Sequence, residues 1–180
     1  IMERTSALEE AVMGKRKPWA RGCVMQRWRL GLVAELGVLN WPGDLIEIGA
    51  FVGGTTVRLA ELAALYDRRV IVVDPWEDAE NYYKQFQFNI RRVSEHVDVW
   101  RMSSLDEQVR ERLADRQLCF AFVDGLHTYE ACAHDIATVA HAPVIAVDDL
   151  RMSGVRQAFE EAPGQHAMRH FCREGYVVSS

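Results

Sequence analysis

Residues 44–54 read Asp44-Leu45-Ile46-Glu47-Ile48-Gly49-Ala50-Phe51-Val52-Gly53-Gly54, a short apolar run that ends in a glycine-rich turn. Leu45 to Ile48 has the length and branched side chains of a buried strand, and the glycines let the backbone turn and approach another group closely. Thr55 or Thr56 can then cap a helix carrying Leu59, Ala60, Ala63 and Tyr66 on one side. The same strand, turn and helix order recurs downstream. Val70 to Val73 reads as a buried strand, followed by a helix marked by Tyr82, Phe86, Ile90 and Val93. Val97 to Arg101 is the next strand, and Ser104 with Glu107 predicts a capping box ahead of Leu105, Val109 and Leu113. Cys119 to Val123, a helix over Thr128 to Ala140, Val144 to Val147 and a helix over Gly154 to Glu161 continue the alternation. This order predicts a doubly wound, mostly parallel α/β sheet. Met168 to Cys172 and Tyr176 to Val178, parted by Arg173-Glu174-Gly175, predict a closing antiparallel hairpin.

Upstream of the deciding stretch, Val24, Trp28, Leu32 and Leu36 recur at steps of four, an amphipathic helix that stops near Gly37. Residues 1–40 are therefore expected to form an N-terminal helical segment, a lid or an oligomer contact, and residues 41–180 the α/β domain. No repeat or low-complexity linker divides the chain, and Pro18, Pro42, Pro75, Pro143 and Pro163 all fall between patterned segments.

With 180 residues, 49% of them apolar, folding buries roughly 70% of the unfolded chain's surface, enough for a core without disulfide or metal staples. A net charge of -5, with Lys15-Arg16-Lys17 as the one basic run, argues against nucleic acid or anionic lipid as partner. Cys23, Cys119, Cys132 and Cys172 lack metal or disulfide spacing and read as reduced thiols. No apolar run approaches the ~18 residues of a membrane span, and the opening residues lack a signal-peptide core, so the expected location is cytoplasmic. Ile1 ahead of Met2 raises the expectation of natural residues upstream.

In a sheet of this kind ligands bind at the carboxyl ends of the strands. Those ends are acidic here: Glu47-Ile48-Gly49, Asp74-Pro75-Trp76, Asp124-Gly125-Leu126-His127 and Asp148-Asp149-Leu150. Any one of these carboxylates could be a solvated loop cap, but all four together fit that reading poorly. The first turn has glycines spaced GxxxGG, unlike the GxGxxG of dinucleotide sites. Asp74 can accept hydrogen bonds from two ribose hydroxyls. Glu47 would repel a pyrophosphate and suits a cationic ligand instead. An adenosine with a positively charged substituent, S-adenosylmethionine, meets both requirements.

Taken together, EIGAFVGGTT, VVDPW, FVDGLHTYE and VIAVDDL resemble the class I S-adenosylmethionine-dependent methyltransferases, over residues 44 to about 160. Within that class the pattern is similar to small-molecule O-methyltransferases, including metal-dependent sugar O-methyltransferases of antibiotic biosynthesis. The resemblance implies a Rossmann-like sheet in which Glu47, Gly49 and Gly53 line the methionine part of the cofactor. It implies also that Asp74 holds the ribose, that Ser103 or Ser104 lies near the adenine, and that Trp76 walls the pocket or lids the core. By the same resemblance Asp124, Asp148 and Asp149 hold Mg²⁺ or Mn²⁺, in keeping with the preference of hard cations for oxygen ligands; the alternative is that Asp148 or Asp149 caps the next helix. Some relatives carry a second acid two residues after the fourth-strand Asp, as a base. Leu126 stands there in this chain, and His127 is the nearest replacement, either a base beside Asp124 or the start of the next helix.

The implied reaction is methyl transfer to a hydroxyl of a small molecule of sugar or polyphenol type. A nicotinamide-dependent oxidoreductase and a non-catalytic binding subunit that keeps the fold are the two rival readings.

Overall fold

Along Asp44–Ile48, strand β1, alternate side chains leave on opposite faces and enter different cores, Leu45 one and Ile46 with Ile48 the other. The computed structural model describes residues 37–77, 79–168 and 175–178. After β1 come α1 (Gly54–Ala64), β2 (Val70–Val73), α2 (Glu80–Ile90), β3 (Val97–Trp100), α3 (Glu107–Leu113) and β4 (Leu118–Val123). They are followed by α4 (Tyr129–Thr138), β5 (Val144–Val147), α5 (Ser153–Glu161), β6 (Gln165–Met168) and β7 (Gly175–Val178). The sheet order is β3-β2-β1-β4-β5-β7-β6. Its first five strands are parallel, and Glu47 sits opposite Val72 on one side and Phe122 on the other.

Each face of the parallel strands carries helices. On one, Val57, Leu59 and Leu62 of α1 and Phe86 and Ile90 of α2 pack with Leu45, Val70, Val72 and Phe122. On the other, Val109, Leu113, Ile136, Val155 and Phe159 from α3, α4 and α5 pack with Ile46, Ile48, Ile71, Val123 and Ile145. Strands covered on both faces are apolar throughout, as β2, β4 and β5 are. Each buried Val, Leu, Ile or Phe of these strands contributes about 1.5–3 kcal/mol through burial.

Several local expectations change. Gly53, in the left-handed region at φ 78, makes the entry to α1, so Thr55 and Thr56 lie inside the helix rather than capping it. Helix α3 begins at Glu107 with Asp106 as its cap, accepting from the Gln108 N–H; Ser104 is too far upstream for the predicted capping box. Strand β6 starts three residues before the expected Met168 to Cys172 segment and pairs antiparallel with β7, which pairs antiparallel with β5. Residues 169–174, which would close the hairpin, and residues 1–36, with the predicted N-terminal helix, lie outside the described residues. Cys119 and Cys132 are free and buried, and burial pushes the Cys132 thiol up to about 12. Among the described residues no helix is long and apolar enough to cross a membrane.

Candidate active site

Because β1 pairs with β2 on one side and with the much later β4 on the other, the crossovers diverge at its carboxyl end and leave a crevice there. Gly49 sits at that point with φ 85, and a Cβ on it would lie 2.0 Å from the Asp124 carbonyl oxygen. Only glycine permits this approach. The Gly49 N–H donates to the Val73 carbonyl (2.9 Å) and the Asp124 N–H to the Ile48 carbonyl (2.8 Å), so one turn ties three strand ends together. Gly53 closes the turn by donating to the Ala50 carbonyl (2.7 Å).

Asp74, at the end of β2, holds this turn from the side. Its Oδ2 accepts the N–H groups of Ala50 and Phe51 and its Oδ1 that of Trp76, all at 2.9 Å. A carboxylate has about four lone-pair sites, so these three bonds leave capacity for a hydroxyl donor. Trp76 is 4% exposed, donates its indole N–H to the Phe51 carbonyl at 2.6 Å, and packs its rings against Tyr83 (4.9 Å) and Phe86 (4.7 Å). The indole thus joins the turn to the core from the α2 side.

Glu47 is the polar exception on an apolar face, 1% exposed, with Thr56 of α1 donating its hydroxyl to Oε2 at 2.5 Å. Burial raises its pKa from 4.5 to about 8 against the lowering effect of Thr56, and Asp124 and Asp74 raise it further. A cationic ligand end brought close would offset the cost of burial by charge attraction and favour the ionised form.

The acids of β4 and β5 meet differently from the expectation. Donor atoms of Asp124, His127 and Asp149 all lie within 4.8 Å of one another. His127 Nε2 is 3.6 Å from Asp124 Oδ1 and 3.3 Å from Asp149 Oδ2. Asp148 Oδ1 instead accepts the Asp149 N–H at 2.7 Å, and Asp149, at φ 53, turns its carboxylate toward His127 and Arg151 (3.2 Å). The cap of α4 is Thr128, whose Oγ1 accepts the Ala131 N–H, which leaves His127 to the carboxylates. The first turns of α4 and α5 meet closely, since a Cβ on Gly154 would lie 2.7 Å from the Tyr129 nitrogen. Around the rim Phe51, Tyr82, Leu126 and Met152 are exposed, and the Phe51 and Tyr82 rings stand 4.6 Å apart.

Ser103 and Ser104 follow the end of β3. The Ser103 hydroxyl accepts the Leu105 N–H, and Ser104 faces the fully buried Asp135 of α4, whose pKa burial raises against Ser104 and His134. Sequence reasoning missed Asp135, although an acid on the apolar stripe of Ala131, Cys132 and Ile136 marks it. Thr56, read from the sequence as a possible helix cap, serves Glu47 instead, a contact that exists only once α1 packs on β1.

The doubly wound sheet, the glycine turn on its first strand and the acid that binds this turn from the second fit the class I methyltransferase architecture. A family model described as a methyltransferase domain matches residues 46–148, more than half of the chain, and the chain belongs to that family. This displaces the nicotinamide-dependent alternative. No curated protein sequence matches. Among solved structures, the apo form of CalS11, a TDP-rhamnose 3'-O-methyltransferase of calicheamicin biosynthesis, is similar with a TM-score of 0.67 and 16% identity, covering 98% of this chain and 93% of that one. The putative caffeoyl-CoA O-methyltransferase from Staphylococcus aureus gives 0.70 and 13%, covering 100% of both chains. An O-methyltransferase from Bacillus cereus, solved with SAH, gives 0.61 and 16%, covering 97% and 91%. At these identities the likeness establishes the fold.

Proposed function

We propose that the protein transfers a methyl group from S-adenosylmethionine to a hydroxyl of a small molecule, assisted by a divalent cation. The observation that carries this reading is the convergence of Asp124, His127 and Asp149 beside the glycine turn. Two carboxylates and an imidazole within 4.8 Å fit a divalent ion, whose charge would offset the repulsion between the acids. The three similar structures described above carry the names of O-methyltransferases, which supports the choice of oxygen as the acceptor atom.

When bound, S-adenosylmethionine supplies an electrophilic methyl group on a good leaving group, and the cation supplies positive charge that favours ionisation of a nearby hydroxyl. The chain's part is to align and shield them. Gly49 and Gly53 let the backbone reach the cofactor, Asp74 accepts from one ribose hydroxyl with the capacity its three backbone bonds leave, and Glu47 provides the counter-charge for the methionine end. Trp76 holds the turn in place, and Ser103 and Ser104 border the adenine. Asp124 and Asp149 would hold the cation, with Asp148 orienting the Asp149 backbone. The acceptor's proton passes to His127 Nε2 where that nitrogen is free, and otherwise to an Asp124 oxygen. The apolar rim of Phe51, Tyr82, Leu126 and Met152 favours an acceptor with an aromatic or apolar face over a bare sugar.

The test is methyl transfer from labelled S-adenosylmethionine to a panel of phenols and glycosides, with EDTA and then with Mg²⁺ or Mn²⁺ restored. Turnover should vanish with EDTA and return with the ion. Full turnover after exhaustive chelation would refute the cation's role, and absence of binding heat for S-adenosylmethionine would refute the reading altogether.

A further inference from the structure

Resting on the cation reading above, we infer that His127 is itself a ligand of the ion, so that the centre is Asp124, His127 and Asp149 and prefers Mn²⁺ or Fe²⁺ to Mg²⁺. Three features of the cluster lead there. First, the separations of His127 Nε2 from Asp124 Oδ1 (3.6 Å) and Asp149 Oδ2 (3.3 Å) are long for a charge-assisted hydrogen bond, which runs about 2.7–2.9 Å. The shorter falls within, and the longer just outside, the about 3.0–3.4 Å that separates neighbouring donors of a coordination polyhedron with bonds of ~2.1 Å. Second, Asp149 divides its carboxylate, Oδ1 toward Arg151 and Oδ2 toward His127, so the oxygen facing the imidazole is the one left for an ion. Third, Asp148 Oδ1 is engaged by the Asp149 N–H at 2.7 Å, and the imidazole, not the Asp148 carboxylate, completes the converging set. Replacing one oxygen donor with an imidazole nitrogen moves the site away from Mg²⁺ and toward transition metals. The proton acceptor then falls to Asp124.

The experiment titrates Mn²⁺ alone into the full chain, following free aqueous Mn²⁺ by electron paramagnetic resonance, with competition by Mg²⁺ and pulsed measurement of nitrogen hyperfine coupling. The expected result is one site that Mg²⁺ displaces only at tenfold or greater excess, with an imidazole nitrogen coupling. His127→Ala should lose that coupling and weaken Mn²⁺ by at least about tenfold while still binding SAH. Bound Mn²⁺ without nitrogen coupling, or with a coupling that survives in His127→Ala, would overturn the assignment of His127 and leave the cation reading standing. Failure of either ion to bind at millimolar concentration, in protein that binds SAH, would overturn both. The coupling is read on the wild-type chain, so the answer does not depend on the variant folding.

Discussion

Replacing Glu47 with glutamine should stabilise the protein, and by an amount that grows with pH. Below its ordinary value of 4.5 the carboxyl is protonated in both the folded and the unfolded chain, and the two proteins should be equally stable. As pH rises the unfolded chain ionises first, while the native state keeps the proton until about 8 because the group is buried. The native state of the wild type therefore loses stability across that window, and the loss is complete only above it. At 1.36 kcal/mol per pH unit the span from 4.5 to about 8 amounts to roughly 5 kcal/mol. Glutamine has the same shape, carries no charge, and can still accept the Thr56 hydroxyl. Urea unfolding of both proteins in EDTA-containing buffers from pH 4.5 to 9 checks this, because titrating groups that do not interact with Glu47 cancel in the difference, and its neighbours Asp74 and Asp124 are acids whose ordinary range lies at or below the start of that window. A stability difference that stays flat across that range would refute the assignment of a neutral, buried Glu47.

Asp74→Ala should cost both stability and ligand affinity, since it removes the acceptor of three backbone N–H groups; SAH binding by calorimetry should weaken by about 1–3 kcal/mol, with a lower melting temperature. Gly49→Ala should destabilise by more than about 2 kcal/mol in thermal unfolding, because its Cβ would collide with the Asp124 carbonyl in a backbone conformation that alanine disfavours. Tyr82→Ala, which takes away the partner of the Phe51 ring, should raise the KM for an aromatic acceptor about fivefold or more in steady-state assays, with SAH affinity unchanged.

The alternation of strands and helices was legible because β1, β2, β4 and β5 each run into a glycine or an acid, and β2 and β5 fall on Val70–Val73 and Val144–Val147 as read. The strand-end acids were legible for the same reason. Their partners were not. Asp74 binds the backbone of residues more than twenty positions earlier, a contact that exists only once β1 and β2 lie side by side. Asp124, Asp148 and Asp149 were expected to share one cation, but Asp148 and Asp149 both lie past the end of β5, and bringing Asp149 toward Asp124 and His127 takes a backbone departure. Asp149 makes that departure at φ 53, and the local sequence does not announce it. The Ser104 capping box failed because Asp106, nearer the first apolar turn, competes for the same role.

The position of β1 in the sheet also sets an order of events in time. During synthesis β1 can pair with β2 soon after both have left the ribosome, but its other neighbour, β4, begins only at Leu118. Until then one edge of β1 is unpaired and apolar, the kind of surface that chaperones recognise and that invites pairing with a second nascent chain. The glycine turn is shaped partly by the carbonyl of Asp124, so the cofactor crevice is a late product of folding and should be absent from any intermediate in which β4 has not docked.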